Sequence, residues 1–162
     1  MSAKKSLIIV MPVYNEEAAI GSVLKKWTEK LDSISFENGY QIHVYNDGSR
    51  DRTGEILAGT AEKYPGKVIV HNKPNSGHGP TILQGYRENA PLAEWLFQID
   101  SDDEMGPESF PEGSSAKNTI SWSEQETAGN RLCLARSSLS FPVYVSGSFT
   151  AKEFGMSIRR TA

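Results

Sequence analysis

The chain opens on a continuous apolar run, Ser6 to Val13, with Pro12 near its end. A run of this kind, apolar at successive positions and closing on a loop signal, predicts a central strand of a parallel sheet. Lys4 and Lys5 ahead of it give the outline of a short signal peptide. Pro12 and Asn15-Glu16-Glu17 break that outline, and no small-residue cleavage pattern follows, so the strand reading is preferred. The period then changes. Ile20, Val23, Leu24, Trp27 and Leu31 recur at helical spacing with Lys25, Lys26, Glu29 and Lys30 between them, which predicts a helix with one apolar stripe. Gln41 to Asn46 predicts a second strand, closing on the turn Asn46-Asp47-Gly48-Ser49. Asp51 is placed to cap a helix through Ile56, Leu57, Ala61 and Tyr64, with Pro65-Gly66 as its stop. Lys67 to His71 predicts a third strand and Asn72 to Gly79 a polar loop. Pro80 suits the first turn of a helix carrying Ile82, Leu83 and Tyr86, and Trp95 to Ile99 predicts a fourth strand.

Strand and helix alternate, so the expected fold is α/β: a mainly parallel sheet with right-handed crossovers and flanking helices. Ligands of such sheets lie beyond the carboxyl ends of the strands. Three polar clusters, Tyr14 to Glu17, Asn46 to Asp51 and Asp100 to Glu104, each follow a strand and therefore converge on that edge.

The chain has 162 residues, enough for one domain. Its hydrophobic share of 38% is slightly low, and the shortfall is local. Residues 113–162 are rich in Ser, with scattered Phe, Trp and Tyr and no sustained period, so they read as an aberrant, disordered or poorly packed tail behind a packed part at 1–112. A net charge of -3 argues against nucleic acid as a partner, because no basic face is available to displace counterions. Cys133 is the only cysteine, which excludes a disulfide within the chain and makes a reducing cytoplasm the expected home. No apolar stretch is long enough to span a bilayer.

Asp100 and Asp102 stand two apart at a strand end, so both carboxylates can face one site. Paired carboxylate oxygens suit Mg²⁺ or Mn²⁺, hard cations that complete their shell with diphosphate oxygen and water. A solvated acidic turn is the competing reading. Asp47, beside Gly48 in a tight turn, has a carboxylate able to accept from the N–H of a base edge, although an ordinary turn and helix cap account for about half of that motif. Asp51 belongs to the cap. Pro12, Tyr14 and Glu16 offer a ring for a nucleobase and an acceptor for ribose or base, against the alternative of an acidic first helical turn. Asn75, Gly77 and their neighbours can present backbone N–H groups to phosphate or form a plain connecting loop. His43, His71 and His78 have no metal-ligand spacing.

Taken in order, Met11-Pro12-Val13-Tyr14-Asn15-Glu16-Glu17, Asn46-Asp47-Gly48-Ser49-Arg50-Asp51-Arg52-Thr53, Asn75-Ser76-Gly77 and Asp100-Ser101-Asp102 resemble family 2 glycosyltransferases over roughly residues 6–112. The branch is similar to dolichyl-phosphate-mannose synthases and undecaprenyl-phosphate glycosyltransferases. The resemblance implies a GT-A, Rossmann-like nucleotide-binding core, a UDP- or GDP-sugar donor, a polyprenyl-phosphate or glycan acceptor, and inversion at the anomeric carbon. It places Pro12, Tyr14, Glu16 and Asp47 on base and ribose, with Val13, Asn75, Gly77 and Ser101 also at the donor. Asp100 and Asp102 would hold metal and diphosphate. The catalytic base stays unassigned: Asp103 and Glu104 are candidates whose nearness to the acidic pair favours a supporting role. Membrane contact is expected only of a longer relative.

Two features depart from the family. Asn46 stands where a first Asp is common, and the pattern that should continue past Glu112, including the acceptor pocket and base, is absent. A slip of the coding frame near Glu112-Gly113 accounts for this. Synonymous codons for Gly113 to Ala162, read one base out of step, allow a product that has amphipathic helical spacing and ends in D-V-N-T-P-Y-R, similar to a downstream segment of the same family. The expected product is then truncated, and the alternative function is an inactive nucleotide-binding fragment. A dehydrogenase is disfavoured because no G-x-G-x-x-G follows the first strand, and a nucleotidyltransferase because no glycine-rich phosphate loop does.

Overall fold

The computed structural model describes residues 4–103, 106–110, 125–127 and 130–132. Its elements run β1 (Lys5–Val13), α1 (Ile20–Asp32), β2 (Tyr40–Asp47), α2 (Thr53–Lys63), β3 (Val68–Lys73), α3 (His78–Asn89), β4 (Ala93–Gln98), β5 (Gln125–Thr127) and β6 (Asn130–Leu132). One sheet holds the strands in the order β3-β2-β1-β4-β6-β5. Every pairing is parallel except β5 with β6. Each of the four expected strands and three expected helices is present, and the α/β core with helices on both faces is the architecture anticipated above.

Alternation along β1 divides the core. Leu7, Ile9, Met11 and Val13 face α1 and α2 together with Ile42, Val44, Val68, Phe97 and Ile99. Ile8 and Val10 face the other way, with Tyr45 and Leu96, toward Tyr86 and Ala90 at α3 and its end. The whole apolar stripe of α1 is buried, and Trp27 packs in a ring cluster with Phe97 and Phe110 at centroid distances of 6.2 and 5.8 Å. Phe110 thus pins the chain to the core just after the acidic turn. On the opposite face α3 approaches the sheet at Gly85, where a Cβ would collide with Val10 and sit 3.1 Å from Tyr45 Cε2.

Three details of the sheet add to the sequence expectations. β3 continues to Lys73 instead of stopping at His71, and this puts Lys73 in register with Asp47 on β2. The pairing of β1 with β4 stops at Val10, so Pro12, which has no N–H to give, lies beyond the end of that ladder. Two strands, β5 and β6, fall inside the segment read as a poorly packed tail. Strands of three residues are too short to show an alternating pattern, which is why periodicity finds none there. The rest of 113–162, with the product of the inferred frame slip, lies outside the described residues. No helix among the described residues is long and apolar enough to cross a membrane.

Candidate functional site

The loops after β1 and β2 are stitched together before either can contribute to a site. Asn15 N–H donates to Ser49 Oγ at 3.0 Å and Asn15 Oδ1 accepts from Arg50 N–H at 2.8 Å. Glu16 N–H donates to Thr53 Oγ1 at 2.9 Å, Glu17 N–H to Asp51 Oδ2 at 3.2 Å, and Arg52 N–H to Glu17 Oε2 at 2.9 Å. Asp51 Oδ1 also accepts from Thr53 N–H at 3.0 Å, so it serves the first residue of α2 from one position before the cap residue Arg52. Glu16 and Glu17 are not in the first turn of α1, as the competing reading had them, because the helix begins only at Ile20. With Glu17 committed to Arg52, Glu16 is the acid of this pair that lines the cleft described below.

Asn46 is bonded through both ends of its side-chain amide. Its amide donates to Asn72 Oδ1 at 2.9 Å and accepts from Ser49 N–H at 3.2 Å in a buried position. A carboxylate there would keep the first bond only with the Asn72 amide turned to present its NH₂, and would add a buried charge.

Asp47 is the most enclosed carboxylate of the edge. Its side chain is 5% exposed and pairs with Lys73 of β3, itself 11% exposed. Ser76 N–H donates to Oδ1 at 2.8 Å and Gly77 N–H to Oδ2 at 2.9 Å. Burial acts first, raising the carboxyl, but Lys73 and the Ser76 and Gly77 amides outweigh it and hold the group below the usual carboxylate range. The Ser76 and Gly77 N–H groups, considered above for phosphate, are thus given to Asp47, and the Asn75 side-chain amide donates to the Asp47 carbonyl at 2.8 Å. Gly48 makes this approach possible: its φ is +69°, and a Cβ there would lie 2.7 Å from Asn75 N.

Across the edge, Asp100 is half-exposed, accepting from Gln98 Nε2 at 2.8 Å and standing 3.5 Å from His78 Nε2. Loss of water on its covered side raises its pKa, His78 and Gln98 work against this, and the like charge of Asp102 adds to it, leaving the carboxyl above its ordinary value. Two like-charged carboxylates two residues apart in the cleft suit a divalent cation, although no cluster of three or more ligating side chains occurs among the described residues. Two carboxylates fit Mg²⁺ or Mn²⁺ only with diphosphate oxygens and water completing the shell. Asp103, considered above as a base, is turned away onto Lys26 Nζ at 2.6 Å and does not line the cleft, whereas Glu104 lies outside the described residues.

These groups surround one open cleft of about 460 Å³. It is lined by Pro12, Val13, Tyr14, Glu16, Asp47, Asn75, Gly77, Asp100, Ser101 and Asp102, the full set singled out from the sequence, together with His78 and Thr81. Tyr14 keeps 43% of its surface exposed at the mouth. Lys73, His78 and Thr81 were not anticipated. Thr81 Oγ1 accepts from Lys73 Nζ at 3.1 Å, so it belongs to the support of Asp47. The signal for Lys73 is its parallel register with Asp47, which sequence periodicity does not carry.

A polar cleft at the carboxyl edge of a parallel sheet, lined by the enclosed carboxylate of Asp47 and by the acidic pair Asp100 and Asp102, is the feature that this α/β fold and its side chains define. Residues 8–113 match the model for Glycosyl transferase family 2, and the chain belongs to that family. It is 33% identical over 104 residues to an undecaprenyl-phosphate 4-deoxy-4-formamido-L-arabinose transferase of Pseudomonas aeruginosa, covering 64% of this chain and 30% of that one. A dolichyl-phosphate beta-glucosyltransferase of Trichomonas vaginalis is 32% identical over 79 residues, covering 47% and 24%. Among solved structures, S. aureus TarS 1-349 in complex with UDP-GlcNAc is 25% identical with a TM-score of 0.47, covering 64% of this chain and 28% of that one. The chain spans under a third of the length of the curated relatives it matches.

Proposed function

We propose that the cleft binds a UDP- or GDP-sugar, and that the chain is the donor-binding part of a transferase that moves the sugar to polyprenyl phosphate or a glycan. The observation that carries this is the meeting of Asp47 with Asp100 and Asp102 in one cleft of a family 2 chain. In this reading Tyr14 and Pro12 lie against the base, Asp47 accepts from its edge, and Glu16 takes a ribose hydroxyl. Val13, Asn75, Gly77 and Ser101 shape the wall around base and diphosphate. Asp100 and Asp102 would hold Mg²⁺ or Mn²⁺, and a bound cation would supply charge stabilisation for the departing nucleoside diphosphate.

The acceptor oxygen attacks the anomeric carbon from the face opposite the leaving diphosphate, with inversion. A phosphate acceptor is already anionic and needs no carboxylate to deprotonate it. The printed names of the relatives, built on undecaprenyl phosphate and dolichyl phosphate, favour that acceptor class. A lipid acceptor places the reaction at a membrane surface, with the donor drawn from the cytoplasm.

Isothermal titration of the 162-residue chain with UDP and GDP, with and without Mn²⁺, tests donor binding, and labelled-sugar transfer to undecaprenyl phosphate in vesicles tests turnover. Metal-dependent binding supports the donor site. No binding of either nucleotide refutes it, and binding without transfer supports the second reading, a nucleotide-binding chain without activity. Sequencing the gene around Glu112 addresses the frame slip, and synonymous codons that do not allow the shifted product remove it.

A further inference from the structure

We infer that Lys73 is a specificity-determining residue: by occupying Asp47 it leaves a single acceptor for the base, which selects the one-donor imide edge of uridine over the two-donor edge of guanosine. The inference rests on the reading of the cleft as a nucleotide-sugar site.

A carboxylate has about four acceptor positions, two on each oxygen. On Asp47, Oδ1 takes Lys73 Nζ and Ser76 N–H, with Ser76 Oγ also at 3.5 Å, so that oxygen is full. Oδ2 takes Gly77 N–H, and the nearby Thr81 hydroxyl gives its one proton to Gly77 O at 2.8 Å and so does not fill the other position. One acceptor position remains, on a side chain that is 5% exposed and lines the cleft. The ammonium is well held, because Lys73 Nζ also has Pro74 O at 3.0 Å, Ser76 Oγ at 2.7 Å and Thr81 Oγ1 at 3.1 Å within reach. These four acceptors exceed its three protons, so the ammonium has no reason to swing away.

Uracil presents one N–H between two carbonyls and can satisfy that single position. Guanine presents N1–H and the N2 amine side by side, and a carboxylate meets both only if each oxygen has a place. Here one donor would be left unpaired against a wall of the cleft. Lys73 does not line the cleft and acts through Asp47, so it is a positioning residue.

Inosine diphosphate separates donor number from ring size, since hypoxanthine keeps N1–H but lacks the amine. With Mn²⁺ present, calorimetric titration of the 162-residue chain is expected to show UDP bound and IDP bound at least about fivefold more tightly than GDP, the usual cost of an unpaired buried donor. Lys73→Met frees a position on Oδ1 and should bring the IDP/GDP ratio toward one, whereas Lys73→Arg, which still donates, should keep the wild-type ratio. A merely structural role would weaken all three nucleotides alike. Should Lys73→Met fail to fold by circular dichroism, the wild-type series still decides. GDP binding as tightly as IDP overturns this inference alone, as does an unchanged ratio in folded Lys73→Met. Binding of none of the three nucleotides overturns the donor site as well.

Discussion

Asp47→Asn keeps the shape of the side chain and removes its charge. The Lys73 ammonium, 11% exposed, then loses its counter-ion, and the new amide NH₂ must face either Ser76 and Lys73 or Gly77, all of them donors. Breaking one partner of a buried pair costs about 3–5 kcal/mol. The lower end, about 3 kcal/mol, applies because the pair borders an open cleft where water can relax around it. For a chain of this size that corresponds to a fall in Tm of about 6–12 °C. Asp47→Asn combined with Lys73→Met leaves no orphaned charge, so it should cost less than the two single changes together by about 1–3 kcal/mol. Thermal melts of the four proteins at pH 7, followed by circular dichroism, measure both quantities. A single variant melting within about 1 °C of wild type, or costs that simply add, would refute the caged-pair account. The sign with pH follows from the lowered Asp47 pKa: the stabilisation is complete above the ordinary carboxylate value and is lost as pH falls through the depressed one.

Other expectations follow from the same geometry. Burial first, then His71, depress His43 to about 4 against the opposing pull of Glu88. The unfolded chain therefore binds the proton first, so stability should drop on the order of 3 kcal/mol as pH falls from about 6.5 toward 4, and His43→Gln should flatten that slope in pH-dependent melts. Gly85→Ala forces a methyl into Val10 and Tyr45 and should cost about 1–3 kcal/mol in denaturant titration. Gly48→Ala meets both the positive φ and the Asn75 backbone, and it should lower stability and nucleotide affinity together. Asp100→Asn and Asp102→Asn should abolish the Mn²⁺ dependence of UDP binding in titration calorimetry while leaving the melting temperature within a few degrees, since both side chains are solvent-facing. Unchanged metal dependence would remove them as ligands.

Much of this protein is determined by sequence alone, because burial imposes a period. The unbroken run at Ser6 to Val13 has to be a strand covered on both faces, and the Ile20 to Leu31 stripe has to lie on a sheet. Once strands and helices alternate, chain topology sends the polar clusters to one edge, so Tyr14, Asp47 and Asp100 could be grouped without coordinates. Tertiary structure decided how those groups are used. Parallel register, which depends on the packing of whole strands, set Lys73 beside Asp47 and turned the Ser76 and Gly77 amides onto that carboxylate. The direction of a turn, with Asp103 at a φ of +63°, took one acid away to Lys26 while Asp100 and Asp102 stayed in the cleft. Residue type and spacing report which groups reach the edge, but hydrogen-bond partners thirty residues away in the chain exist only after the sheet has closed, and those partners set the charge and the remaining valence of the site.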